Sequence, residues 1–127
     1  MKTLIILLLI GGLSTVTIQN TEWKAPEEAS KKVNPVESNE KTIKLGKKIY
    51  TKMCWTCHGS EGLGDGPVSG SLTPLPADFS NATFQKQTDG AIYWKLSTGK
   101  GTMAPYENSL TEDQRWAIVN YLRTIKK

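Results

Sequence analysis

Two cysteines and one histidine stand together as Cys54-Trp55-Thr56-Cys57-His58, and the chain holds no other residue of either type. The spacing C-x-x-C-H fits the covalent attachment of a c-type haem. Both thiols would add across the vinyl groups of the porphyrin as thioethers. The spacing sets the two sulfurs along one porphyrin edge, and His58 then stands under the iron as an axial ligand. Other chemistries use the same residue types. A Cys54–Cys57 disulfide would close a very small loop and contribute little. A thioredoxin-like pair needs a βαβ setting, which the pattern along the chain does not suggest. Zinc would find Cys54, Cys57 and His58 but no fourth soft ligand.

The opposite side of the iron needs its own ligand. A single histidine excludes bis-His ligation within one chain, and no third cysteine remains for a thiolate. The methionines are Met1, Met53 and Met103. Met1 lies in the leader, and Met53 adjoins an anchoring cysteine and cannot swing across the ring. Met103, in a loop flanked by glycine and proline, is therefore the candidate; its alternative role is filling the core. His/Met is an axial pair of c-type electron-transfer proteins and raises the potential. Iron with six ligands leaves no open position for a substrate. The expectation is thus a single-electron carrier with one haem c and not an enzyme. Asp65, Asp78, Asp89 and the glutamates show no pairing that demands catalysis.

These residues need helices to position them. A helix is expected from about Glu40 to Met53, with Thr42, Gly46, Ile49, Tyr50 and Met53 on one face. Lys41, Lys44, Lys47, Lys48 and Lys52 fall on the other. Gly46 is a poor helix former, and on a buried face it permits a close backbone crossing. Residues 59 to about 87 are rich in glycine and proline and read as a loop that wraps a bound group. A short helix follows from Asp89 to about Ser97, capped by Thr88 or Asp89 and ended by Gly99. The last helix begins at a capping box, Thr111-Glu112-Asp113-Gln114. Its apolar stripe is Ala117, Ile118, Tyr121, Leu122 and Ile125.

The N-terminus has a different character. Lys2 and the apolar run Leu4–Ile10 have the layout of a secretory signal, and the run is too short for an ordinary membrane span. An uncleaved anchor through residues 3–18 is the alternative. The organisation expected is a signal peptide or anchor over 1–19, a linker over 20–39 and one domain over 40–127. Trp23 stands alone in that linker and reads as surface packing. The bulk numbers agree with one small globular domain: 127 residues, 38% hydrophobic and 22% charged. A net charge of +4 is too mild to argue for nucleic acid, and no nucleic-acid-binding pattern is present.

Taken in order, four segments resemble a class I monohaem c-type cytochrome. They are Cys54–His58, then Gly62-Leu-Gly-Asp-Gly-Pro67, then Gly101-Thr-Met-Ala-Pro-Tyr106, then Arg115-Trp-Ala-Ile-Val-Asn-Tyr-Leu-Arg123. The resemblance runs from about Glu40 to Ile125. It implies an all-α cytochrome c fold, about three to five helices wrapped around one covalently bound haem with long Gly/Pro-rich loops. It implies that Gly46 and Tyr50 meet Tyr121 where the first and last helices cross. It also implies that Met103 is the axial methionine and that the Pro67 carbonyl accepts a hydrogen bond from the ring of His58. Many relatives have proline directly after that methionine, whereas here Ala104 precedes Pro105. Tyr93, Trp94, Tyr106 and Trp116 are candidate neighbours of the haem or its propionates, with core packing as the alternative. Periplasm or the outer face of the cytoplasmic membrane is the expected place. The expected partners are redox proteins or respiratory complexes, with the lysine face steering acidic docking surfaces. Competing functions are a subunit of a larger membrane complex, a haem sensor or enzyme with a displaceable Met103, and a metal-binding module without haem.

Overall fold

A computed structural model describes residues 22–126; the expected leader over 1–19 lies outside the described residues. Among the described residues there are six α-helices: α1 (Glu27–Ser30), α2 (Glu40–Met53), α3 (Trp55–His58), α4 (Ala82–Gln85), α5 (Asp89–Thr98) and α6 (Glu112–Leu122). Two 3₁₀ turns, Ser69–Ser71 and Tyr106–Asn108, complete the elements, and no strand occurs among the described residues. The all-α expectation holds. The helix count exceeds three to five because α1, α3 and α4 are single four-residue turns.

The long helices begin where side chains replace the missing intrahelical partners of the first amides. Asn39 and Thr42 form a capping box at α2. Thr88 accepts from the Ala91 amide at α5, and Thr111 and Gln114 form the expected box at α6. Gly99, at φ +64°, ends α5 in a conformation that disfavours a side chain.

The core is built where α2 crosses α6. A Cβ on Gly46 would run into the backbone of Ala117 and the side chain of Tyr121, so the two helices approach at that glycine. Tyr50 and Tyr121 meet edge to face at 5.2 Å between centroids, as the resemblance implied. Ile49, Ile92, Leu96, Trp116, Ile118, Val119 and Leu122 fill the space around them.

Residues 59–87 are less irregular than expected. Asn81 caps the short α4 through the Thr83 amide. Two side chains then tie this segment to the end of α6. Gln85 Nε2 donates to the carbonyls of Phe79, Leu122 and Ile125, at 2.7, 3.0 and 3.0 Å. Arg123 reaches Asp89 Oδ1 at 2.7 Å and the Gln85 carbonyl at 2.9 Å.

The segment read as a linker is not free. Asn34 Nδ2 donates to Asn120 Oδ1 at 2.7 Å, and Asn120 Nδ2 donates to the Val36 carbonyl at 3.2 Å. The backbone of Ala29 and Lys32 lies so close to Gly90 that a Cβ there would collide with it. Its low apolar content concealed this, because it docks through amides and backbone and not through an apolar stripe.

Candidate functional site

Cys54 caps α2, and α3 starts at once with Trp55. The His58 and Cys57 amides both donate to the Cys54 carbonyl, at 2.9 and 3.2 Å. This tight second turn sets the two thiols and the imidazole on one short piece of helix. Gly59, at φ +84°, then breaks α3, and its carbonyl accepts from the buried Tyr50 hydroxyl at 2.5 Å. The turn that carries His58 is thereby tied to the α2–α6 core.

Burial pushes the Cys54 thiol up to about 12, with the neighbouring Cys57 as a second cause. The free thiol is therefore held in its protonated form, whereas the thiolate is the reactive form. Burial likewise pulls the His58 pKa down, against the smaller upward effect of the Ala77 carbonyl. A neutral imidazole is the form that can ligate a metal.

His58 Nδ1 lies 3.2 Å from the Ala77 carbonyl oxygen. A carbonyl only accepts, so the tautomer that makes this bond carries its proton on Nδ1 and leaves the Nε2 lone pair free. The expectation that Pro67 would fill this place is corrected. Pro67 is exposed, in a turn held to α3 by Gly66 N–H to Cys57 at 3.1 Å and Val68 N–H to Thr56 at 3.2 Å. The chain returns to the histidine on a later pass, where the Phe79 amide donates to Gly62 at 2.7 Å. Gly64, at φ +76°, leaves room for the backbone of Pro76 and Ala77.

Met103 sits in a two-residue reversal. The amides and carbonyls of Lys100 and Met103 exchange two hydrogen bonds, each 3.0 Å. Gly101, at φ +58°, lies inside the turn, and a Cβ on Gly99 would meet the Met103 carbonyl. The loop is therefore shaped by its glycines. Pro105 need not follow the methionine directly.

Cys54, Cys57, His58 and Met103 all line one cavity of about 390 Å³. Its other walls include Tyr50, Phe79, Ile92, Leu96, Ile118 and Leu122. This is the form of a site for a sizeable apolar group: concave, mostly hydrophobic, with a few convergent polar atoms. The donor set, two thiols, one imidazole nitrogen and one thioether, fits a haem bound through both cysteines. Tyr106 also lines the cavity, and its hydroxyl donates to the Met53 carbonyl at 3.2 Å. Tyr93 and Trp116 instead stack on each other in the core at 3.8 Å, and Trp94 packs against Trp23 at 6.4 Å. Trp23 is among the cavity residues that the sequence reading missed. Nothing in a polar segment outside the motifs signals such a role.

The Cytochrome c family model matches residues 43–126, more than half of the chain. Among solved structures, a chain of the Kuenenia stuttgartiensis reducing HAO-like protein complex Kustc0457/Kustc0458 is similar at 32% identity and a TM-score of 0.67. That match covers 73% of this chain and 47% of the other, so this chain spans under half of that relative's length. KustC0563 c-type cytochrome is similar at 31% identity and a TM-score of 0.57, over 65% of this chain and 98% of its own. Cytochrome CL from the methylotrophic bacterium Methylophaga aminisulfidivorans shares the fold at 23% identity and a TM-score of 0.55, over 70% of this chain and 56% of its own. No curated protein matches the chain. With its C-x-x-C-H turn on the wall of an apolar cavity and a family match across that whole region, this chain belongs to the cytochrome c family, which implies a covalently bound haem c and a role in electron transfer.

Proposed function

We propose that this chain is an exported single-electron carrier with one haem c, attached through Cys54 and Cys57 and ligated by His58 and Met103. The observation that carries the reading is the convergence of these four side chains on one apolar cavity. Haem supplies the chemistry, a one-electron change between ferric and ferrous iron. The protein's part is to hold, orient and desolvate. Cys54 and Cys57 would hold the haem covalently at the α3 turn. The Ala77 carbonyl sets the tautomer and aim of His58 and raises its basicity. Met103 offers a soft sulfur that favours the ferrous state. The apolar walls exclude water, so the charge change meets little rearrangement. Held by both His58 and Met103, the iron would have no position for substrate, which is the argument for a carrier over an enzyme. Periplasm or the outer face of the cytoplasmic membrane follows from the secretory layout of residues 1–19. Among residues 22–126, no helix is long and apolar enough to cross a membrane.

Visible spectra of the matured protein, oxidised and reduced, test the ligation. A low-spin reduced spectrum, a weak far-red sulfur-to-iron band when oxidised and no response to CO are expected. A five-coordinate spectrum that shifts with CO would move Met103 out of the ligand set and favour a sensor or enzyme. A second reading, a subunit of a larger redox assembly, draws on the likeness to a chain of the Kuenenia complex and on exposed apolar side chains. Leu75 is 70% exposed and Trp55 41%. Sedimentation of the native protein from its own membranes and periplasm separates the two, since a free carrier sediments as a monomer.

A further inference from the structure

Residues 22–42 lie outside the family match, yet Glu22–Ser38 packs along the domain and delivers one aromatic side chain to the cavity. Trp23 makes three side-chain contacts. Its ring packs on Trp94 at 6.4 Å between centroids. Lys95 Nζ and Lys100 Nζ lie over it at 5.6 and 5.9 Å, within the range of a cation–π contact. All three of Trp23, Lys95 and Lys100 line the cavity, beside Gly101, Thr102 and Met103 of the methionine turn.

The segment that carries Trp23 is anchored further along. α1 lies on Gly90 at the start of α5, and Lys32 Nζ stands 5.9 Å from the Tyr93 ring. The Asn34–Asn120 pair then fastens the segment to α6. The position of the indole is thus set by several independent contacts.

Two lysines lie over the ring, and Glu22 is the acidic group that acts on Lys95. Lys95 has Gln87 Oε1 as its hydrogen-bond acceptor, a neutral group. Burial holds the Lys95 pKa down; Glu22 opposes this and Lys100 adds to it. Two ammoniums at the rim of an apolar cavity suit an anionic part of whatever fills it. A haem carries two carboxylates on the edge away from its vinyl groups.

We infer that Trp23 is a wall of the haem cavity on the methionine-loop side, and that Lys95 and Lys100, resting on its ring, receive the haem carboxylates. The inference rests on the haem reading above. It assigns a cofactor-contacting role to a residue outside the family-matched region.

The test uses the full matured chain as wild type, Trp23→Ala, Trp23→Phe and the double variant Lys95→Gln/Lys100→Gln. The readouts are covalent haem content, equilibrium binding of imidazole to the ferric protein, and reduction potential. Trp23→Ala is expected to bind imidazole about tenfold more tightly, as loss of one wall contact predicts. Trp23→Phe, which keeps a smaller aromatic wall, should bind imidazole more tightly than wild type by a lesser factor. The double variant should shift to a lower potential, because the lost positive charges no longer disfavour the ferric state. Wild-type imidazole affinity in Trp23→Ala would overturn the wall, and an unchanged potential in the double variant would overturn the carboxylate role. If Trp23→Ala does not mature, Trp23→Phe and the lysine pair still decide: a loosened site in Phe or a lowered potential supports the inference, and no change in either overturns it. Absence of covalent haem in the wild type would instead sink the haem reading itself, so the two failures are distinguishable.

Discussion

Met103 is the residue on which the electron-carrier reading turns. Replacing it with alanine removes the sulfur while leaving the backbone reversal with Lys100 in place. The Met103→Ala protein should retain covalent haem, lose the far-red band when oxidised, bind CO when reduced and show a lower potential. Unaltered spectra in that variant would exclude the sulfur as a ligand. Tyr50 is a second test at this scale. The residue is 1% exposed, and its hydroxyl serves the Gly59 carbonyl at 2.5 Å. Tyr50→Phe leaves that carbonyl short of a donor and should cost about 1–2 kcal/mol in denaturant unfolding. Its pKa is raised, chiefly by burial. A phenol with a raised pKa in the fold stabilises fully below the unfolded value of about 10, and that contribution is lost as pH rises towards the folded value. The wild type should therefore lose stability above about pH 10, and Tyr50→Phe should lose less of it.

At the scale of elements, Gly46 decides how closely α2 and α6 approach. Alanine there would gain up to about 1 kcal/mol in helix propensity. Its Cβ, however, meets the backbone of Ala117 and the Cβ of Tyr121, which cannot rotate away. Overpacking of this kind costs about 1–3 kcal/mol, so Gly46→Ala should lower the denaturant midpoint on balance. A midpoint equal to or above wild type would show that the crossing has slack. This contact was legible from the sequence, because a glycine on the apolar face of an otherwise sound helix marks a place where another backbone comes close. So were the helices over 40–53 and 112–122, the first from its 3.6-residue period and the second from its capping box. The carbonyl that serves His58 was not. Pro67 matches a family pattern, but a backbone carbonyl carries no residue signature, and which loop pass brings one to the imidazole is set by Gly64 and by the Gly62–Phe79 hydrogen bond. The docking of residues 22–38 escaped for a related reason. Its anchors are an asparagine pair and a backbone contact at Gly90, and neither produces a periodic pattern.

Across the whole molecule, the helix that carries five lysines also runs into the haem-binding turn. Lys41, Lys44, Lys47, Lys48 and Lys52 are exposed on α2, and α2 ends at Met53 directly before Cys54. Opposite charge on a partner would therefore be drawn towards the part of the surface next to the attachment site. Such steering is a long-range effect that salt screens, with a Debye length of about 8–10 Å at ordinary ionic strength. Net charge alone would attract an anion to any side, so locality needs a charge-matched control. We expect the Lys44→Gln/Lys47→Gln/Lys48→Gln protein to be oxidised by ferricyanide several-fold more slowly than wild type at low salt, with the difference vanishing at high salt. A Lys31→Gln/Lys86→Gln/Lys126→Gln protein has the same net charge, with its changes on exposed lysines elsewhere. It should stay much closer to wild type. Stopped-flow rates across an ionic-strength series measure both. Equal slopes in the two variants would mean that the α2 lysines act only through total charge, and the lysine face would then be a solvated surface with no part in docking.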